Sequence, residues 1–140
     1  MATTNSSDNH LAKSFFEQEV ERLMENGLPP HYYALIRQSK AFIDKYYGDK
    51  IDLNEMAAAA FMSRFHYIRV FQQVYGRTPR RYLQDLRIEK AKELLRSGEQ
   101  VTQVCISIGY ESLPTFSRIF KRGTGYSPKT YQEMIISNLE

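Results

Sequence analysis

Phe71-Gln72-Gln73-Val74-Tyr75-Gly76-Arg77-Thr78-Pro79-Arg80-Arg81-Tyr82 returns 49 residues later as Phe120-Lys121-Arg122-Gly123-Thr124-Gly125-Tyr126-Ser127-Pro128-Lys129-Thr130-Tyr131. Phe, Gly, a hydroxyl residue before Pro, a basic residue and Tyr recur in step, and Arg69-Val70 ahead of the first block matches Arg118-Ile119. Further upstream, Leu53 and Met56-Ala57 match Val101 and Val104-Cys105, now at a shift of 48. One residue added inside a helix would turn everything beyond it by about 100°. The extra residue therefore belongs in a turn, between Gly109 and Ser112. Self-similarity of this kind marks a repeated supersecondary unit. Each copy reads as helix, turn, helix, then a glycine and a Pro-started segment.

The remaining punctuation extends this plan. Residues 1–10 are polar and read as disordered. Residues 11–26 read as an amphipathic helix with Phe16, Val20 and Leu23 on one stripe, ended by a linker at Gly27-Leu28-Pro29-Pro30. Apolar residues at helical spacing over 31–48 predict a second helix, closed by Gly48. Asp52, with Glu55 three positions on, caps a helix over 53–60. Phe61-Met62 is its turn, and Ser63 caps a helix over about 64–75 that Gly76 stops. A helix from Thr78-Pro79 to about Arg96 follows, since a hydroxyl before Pro is a start signal. Gly98 ends it. The second copy gives helices at 101–108 and about 113–122, then Gly123 and Gly125, and a last helix of one to three turns from Ser127-Pro128. No segment alternates with period two, so the expected class is all-α without a sheet.

Composition narrows the function classes. No apolar run approaches the roughly 18 residues of a membrane span, and residues 1–10 lack the order of a signal peptide. A lone cysteine, Cys105, excludes an internal disulfide and fits a reducing compartment, so the expected location is cytoplasmic. His10, His31 and His66 lack metal-ligand spacing, and no cofactor is expected. The net charge of +3 is unevenly spread. Residues 1–60 carry −3, residues 61–96 carry +6, and residues 97–140 are neutral. A focused basic surface attracts phosphates better than the same charge dispersed.

In each copy a small residue, Ala57 or Cys105, stands where two helices would cross. Tyr67, Val70 and Phe71, and then Phe116, Ile119 and Phe120, form the inward face of the second helix. The opposite face holds Arg64, Phe65, Ile68 and Arg69 in the first copy, and Leu113, Pro114, Ser117 and Arg118 in the second. Arginine bonds guanine bidentately and apolar side chains meet the thymine methyl, so these eight are the base-reading candidates. Ser63, His66, Arg80, Arg81, Lys121, Arg122 and Lys129 flank them as phosphate candidates.

The residues Ile108-Gly109-Tyr110-Glu111-Ser112, Phe116-Ser117-Arg118-Ile119-Phe120-Lys121-Arg122 and Gly125-Tyr126-Ser127-Pro128-Lys129-Thr130-Tyr131 resemble the signature of AraC-type (AraC/XylS) DNA-binding domains. Leu86-Arg87-Ile88-Glu89-Lys90-Ala91 is similar to the family's linker helix. The resemblance runs from about Tyr32 to Glu133, roughly three quarters of the chain. It implies about seven helices in two helix-turn-helix subdomains bridged by one long helix, with an extra N-terminal helix here. The corresponding division is a tail and amphipathic helix over 1–30 and a DNA-binding domain over 31–136. Within the latter lie a first helix-turn-helix at about 51–76, a linker helix at about 79–96 and a second helix-turn-helix at about 101–124. It further implies a bacterial transcription regulator, usually an activator that contacts RNA polymerase, placing both recognition helices in successive major grooves of double-stranded DNA.

Two departures carry expectations of their own. Phe61 stands where the second copy has Gly109, and a left-handed Phe costs about 1–2 kcal/mol, so the first turn is expected to take another shape. Leu113 and Pro114 offer no side-chain hydrogen bond, so the second unit is expected to read sequence weakly. Two other function classes compete. One is a helical protein-interaction module docking through residues 11–26. The other is a DNA-alkyl transfer enzyme using Cys105, against which stands the absence of a neighbouring His or acid. The expectation is that Cys105 packs and that the chain is no enzyme. About thirty residues precede the domain, too few to enclose a ligand pocket. The chain then either acts alone or is the terminal piece of a regulator whose sensor domain lies elsewhere.

Overall fold

The computed structural model describes residues 15–25 and 27–139. The expected disorder of residues 1–10, and the side chains of Phe16, Val20 and Leu23, lie outside the described set. Among the described residues there are eight helices and no strand. They are α1 Phe15–Glu25, α2 Pro30–Tyr46, α3 Leu53–Ala59, α4 Arg64–Tyr75, α5 Pro79–Arg96, α6 Val101–Ser107, α7 Leu113–Thr124 and α8 Pro128–Leu139.

Packing divides the chain into two compact units. The first gathers the described residues up to Phe42 with Asp52–Pro79; the second gathers Ile43–Ile51 with the described residues from Arg80 onward. The divisions thus fall inside the last turn of α2 and at the start of α5. In the first unit Leu28, Ile36, Leu53, Met56, Ala57, Ala60, Tyr67, Val70 and Phe71 are buried, and α1 packs against α4. In the second, Ile88, Ala91, Leu95, Val104, Cys105, Ile108, Phe116 and Phe120 form the core, with Tyr47, Tyr110, Ile119 and Tyr131 packed around it. Ala57 and Cys105, the paired small residues, are 2% and 3% exposed.

Local chemistry sets the helix starts. Asp52 Oδ1 accepts from the Glu55 amide at 2.8 Å. Ser63 and Ser112 begin α4 and α7 in the same way, accepting from His66 N at 3.3 Å and Thr115 N at 3.4 Å. Such caps satisfy amides that have no partner within the helix. Gly76 and Gly125, at φ 74° and 88°, close α4 and α7 in the left-handed region. Gly123 stays inside α7, so the second glycine of the pair is the stop. α8 extends over 12 residues, the full three turns of the expected range.

The turn between the paired helices has one geometry in both units. Phe61 N donates to Ala58 O at 3.0 Å and Met62 N to Ala57 O at 3.1 Å. Gly109 N donates to Ile106 O and Tyr110 N to Cys105 O, each at 3.1 Å. This is the six-to-one bonding of a left-handed helix end. Phe61 adopts it at φ 55°, as Gly109 does at 95°. The expectation that Phe61 forces another shape is therefore overturned: the backbone bonds outweigh the strain. The added residue of the second copy is Glu111, whose carboxylate meets Lys50 Nζ at 2.7 Å on the surface.

Gly48 also differs from its expected role. α2 stops at Tyr46 and Gly48 is not left-handed. A Cβ there would lie 2.7 Å from the Ser107 carbonyl oxygen, so the position needs the missing side chain and not a helix cap. Gly109 is constrained twice over. A Cβ would meet Arg87 Nη2 at 2.8 Å and Gly48 O at 3.1 Å, in addition to the strain of its φ.

Phe61 is 79% exposed, so burial offsets none of its strain. Phe61→Gly is expected to stabilise the chain by about 0.5–1 kcal/mol after the entropy cost of glycine. Gly109→Ala is expected to destabilise it by about 2 kcal/mol or more. Urea unfolding of the two variants beside the parent measures both, and equal effects at the two positions would contradict this account.

Candidate nucleic-acid interface

The buried stripe of α4 is Tyr67, Val70 and Phe71, and that of α7 is Phe116 and Phe120 with Ile119 half-buried. This leaves the opposite face of each helix outward. In α4, Arg64 is exposed and Phe65, Ile68 and Arg69 are half-buried. In α7, Leu113, Pro114 and Arg118 are exposed and Ser117 is half-buried. All eight base-reading candidates therefore lie off the core stripe, in matched registers of the two repeats. Pro114 sits in the first turn of α7, where its missing N–H costs no helical bond.

The two faces differ in chemistry. The Arg69 guanidinium lies over the Phe65 ring, 4.8 Å from its centroid, and its Nη1 is 3.7 Å from Glu21 Oε1 of α1. The Arg69 side chain is 41% exposed and that of Glu21 33%. A pair so open to water contributes about 0–1 kcal/mol. The acid that meets Arg69 belongs to the N-terminal helix. None of the described ion pairs involves Arg118, its counterpart. The α7 face presents Leu113, 38% exposed, and Pro114 beside a single guanidinium.

Among the flanking residues, Arg80, Lys121, Arg122 and Lys129 are exposed. Arg81 is exposed and pairs with Asp85 at 3.0 Å. Ser63 is exposed and caps α4. His66 lies elsewhere. Its imidazole packs edge-on against Tyr32, with centroids 5.3 Å apart, and its Nε2 is buried. That inward position does not suit a phosphate contact. Burial pushes its pKa below the ordinary histidine value. Cys105 is likewise a packing residue: it is buried, and burial raises its thiol pKa, the reverse of what a nucleophile needs. Among the described residues no group of three or more His, Cys, Asp or Glu gathers as for a metal ion. No described helix is long and apolar enough to cross a membrane.

Sequence reasoning missed two residues that hold the second unit in shape. Arg87 Nε donates to Tyr47 O at 2.8 Å and its Nη2 to Asp49 O at 3.0 Å, while the guanidinium lies 5.3 Å from the Tyr110 ring centroid. Gln132 Nε2 of α8 donates to Leu95 O at 3.0 Å and Glu99 O at 2.7 Å, at the end of α5. Neither has a local sequence signal, because both partners lie more than thirty residues away. The repeated tyrosines are held differently: Tyr82 OH donates to Asp44, and Tyr131 meets Phe120 edge-on at 5.3 Å.

The histidine yields a pH test. Folding favours neutral His66, so its contribution is unaffected at alkaline pH. It becomes unfavourable as pH falls through about 6.5, where the unfolded chain takes up the proton more readily. The stability of His66→Gln relative to the parent is expected to rise over that interval. Urea titrations between about pH 8 and 5 check it, and a pH-independent difference would contradict the inward placement.

Comparison with known proteins agrees with this geometry. A helix-turn-helix domain family model matches residues 56–134. The MmsAB operon regulatory protein of Pseudomonas aeruginosa is 32% identical over 96 residues, covering 68% of this chain and 31% of that protein. The HTH-type transcriptional activator RhaS of Klebsiella pneumoniae is 33% identical over 101 residues, 71% of this chain and 36% of that protein. The chain thus spans about a third of the length of these two relatives. The crystal structure of the DNA-binding domain of AdpA, a global transcriptional factor, in complex with a target DNA superimposes with a TM-score of 0.71 at 26% identity, covering 74% of this chain and 94% of that one. The chain belongs to the AraC-type helix-turn-helix family of DNA-binding transcriptional regulators.

Proposed function

We propose that the chain is a sequence-specific transcription regulator that inserts α4 and α7 into successive major grooves of one duplex. The observation that carries this reading is the pair of outward helix faces in matched registers, each with an arginine at the same place, Arg69 and Arg118. Arg64 and Arg69 read guanine edges in the first half-site, and Phe65 and Ile68 meet thymine methyls. In the second half-site Arg118 and Ser117 make the polar contacts. Leu113 and Pro114 supply apolar contact alone, so α7 contributes more affinity than discrimination. Ser63, Arg80, Arg81, Lys121, Arg122 and Lys129 hold phosphates, helped by the helix N-termini. The excess of +6 over residues 61–96 supports the Arg80 and Arg81 part of this assignment. His66 is left out of the phosphate set because its imidazole faces Tyr32.

The regulatory sense is activation through contact with RNA polymerase, for which the activator RhaS among the relatives is the support. A sensor or dimerisation domain joined to this chain belongs to the same proposal, supported by the relatives' greater length. The competing docking-module reading loses support from α1, which packs on α4 of its own chain.

Selection of bound sites from random duplex DNA is expected to return two half-sites one helical turn apart. Affinity falls by about tenfold or more between roughly 50 and 200 mM salt. Arg69→Ala with Arg118→Ala abolishes specific binding, each arginine contributing about 1–3 kcal/mol. Base changes in the first half-site weaken binding more than those in the second, and five extra base pairs between them, about half a turn, remove the joint contribution. A flat salt response, or indifference to both arginine changes, would overturn the reading.

A further inference from the structure

α1 is acidic: Phe15–Glu25 holds Glu17, Glu19, Glu21 and Glu25 against Arg22 alone. It packs on α4 of the first unit, and its Glu21 carboxylate meets the Arg69 guanidinium at 3.7 Å. Arg69 is the residue of α4 whose repeat partner, Arg118 of α7, is exposed and takes part in none of the described ion pairs. The repeat therefore supplies its own comparison. Two helices with the same register and an arginine at the same place differ in that one arginine is engaged by a carboxylate from an added helix.

We propose that α1 is an acidic cover on the first recognition helix, in which Glu21 stands where DNA would otherwise engage Arg69. This rests on the reading of Arg69 as a DNA contact. A carboxylate and a phosphate or guanine edge compete for one guanidinium, so binding at the first half-site requires Glu21 to release Arg69. The contact is built for release. Both side chains are a third or more open to water, and the separation is that of an ion pair and not of a close bidentate bond. The free chain is thus held below its intrinsic affinity, and the restraint acts on α4 and not on α7.

The test is fluorescence anisotropy of the whole chain with a duplex chosen by site selection, at about 0.1 M salt, where exposed pairs are screened only in part. Glu21→Gln is expected to tighten binding about 2–5-fold, the factor that a half-exposed pair supports. Glu25→Gln, which removes the same charge from an exposed position on the same helix, is expected to change affinity less than that. In an Arg69→Ala background the gain from Glu21→Gln disappears. Hydrogen exchange of the α1 amides is expected to quicken when DNA is added. Unchanged or weaker binding by Glu21→Gln, an equal gain from Glu25→Gln, or a gain that survives Arg69→Ala defeats the cover while leaving the DNA reading intact. Failure of every variant and of the parent to bind any duplex defeats the DNA reading and the cover with it.

Discussion

One guanidinium organises the second unit. Arg87 projects from α5 and satisfies two carbonyls of the segment that follows α2, Tyr47 O and Asp49 O, while lying beside Tyr110 in the turn between α6 and α7. Taking the charge partly out of water lowers its pKa from the ordinary arginine value, and the bonds to backbone oxygens offset that cost. Three separate stretches of chain are located by one planar fork, which a lysine's single ammonium does not reproduce. Gly109 follows from this arrangement, since a side chain there would occupy the place of the guanidinium.

The first unit solves the same turn with a strained phenylalanine and no such fork. The backbone bonds from Phe61 and Met62 reproduce those of Gly109 and Tyr110 within about 0.1 Å. A shared backbone thus carries two surfaces. The α4 face holds two arginines, one of them over an aromatic ring; the α7 face holds two apolar residues and one arginine. The repeat shares its frame, and the two copies differ in the residues that lie off the core stripe. The acid of α1 touches the better armed of the two faces.

Much of the frame was legible in the chain itself. Asp52 and Ser63 start helices by local bonds, and Gly76 stops one by conformation, so a window of a few residues suffices to read them. The shift from 48 to 49 placed the added residue in the turn, where Glu111 stands. What escaped was non-local or a balance of energies. Phe61 failed as an indicator because a strain of about 1–2 kcal/mol is matched by the two backbone bonds of the turn. Gly48 looked like a helix stop because a close approach to Ser107 leaves no trace at neighbouring positions. His66 reads as a surface histidine until Tyr32 is placed against it. The docking of α1 on α4 joins segments nearly fifty residues apart, and an acidic helix does not name its cation.

Two kinds of glycine have different evolutionary freedom. Around Gly76 and Gly125 a Cβ would find nothing within 4 Å, so their demand is for a dihedral angle alone. Asparagine, which tolerates that angle, is an open route at both sites. Gly48 presents the opposite case: ordinary backbone, but a wall of another segment's carbonyl where the first carbon of any side chain must go. Drift at that position is closed in every direction unless α6 retreats. The lineage of this fold is therefore free to rewrite how its helices end while being held, at one inconspicuous residue, to how closely two stretches of main chain touch.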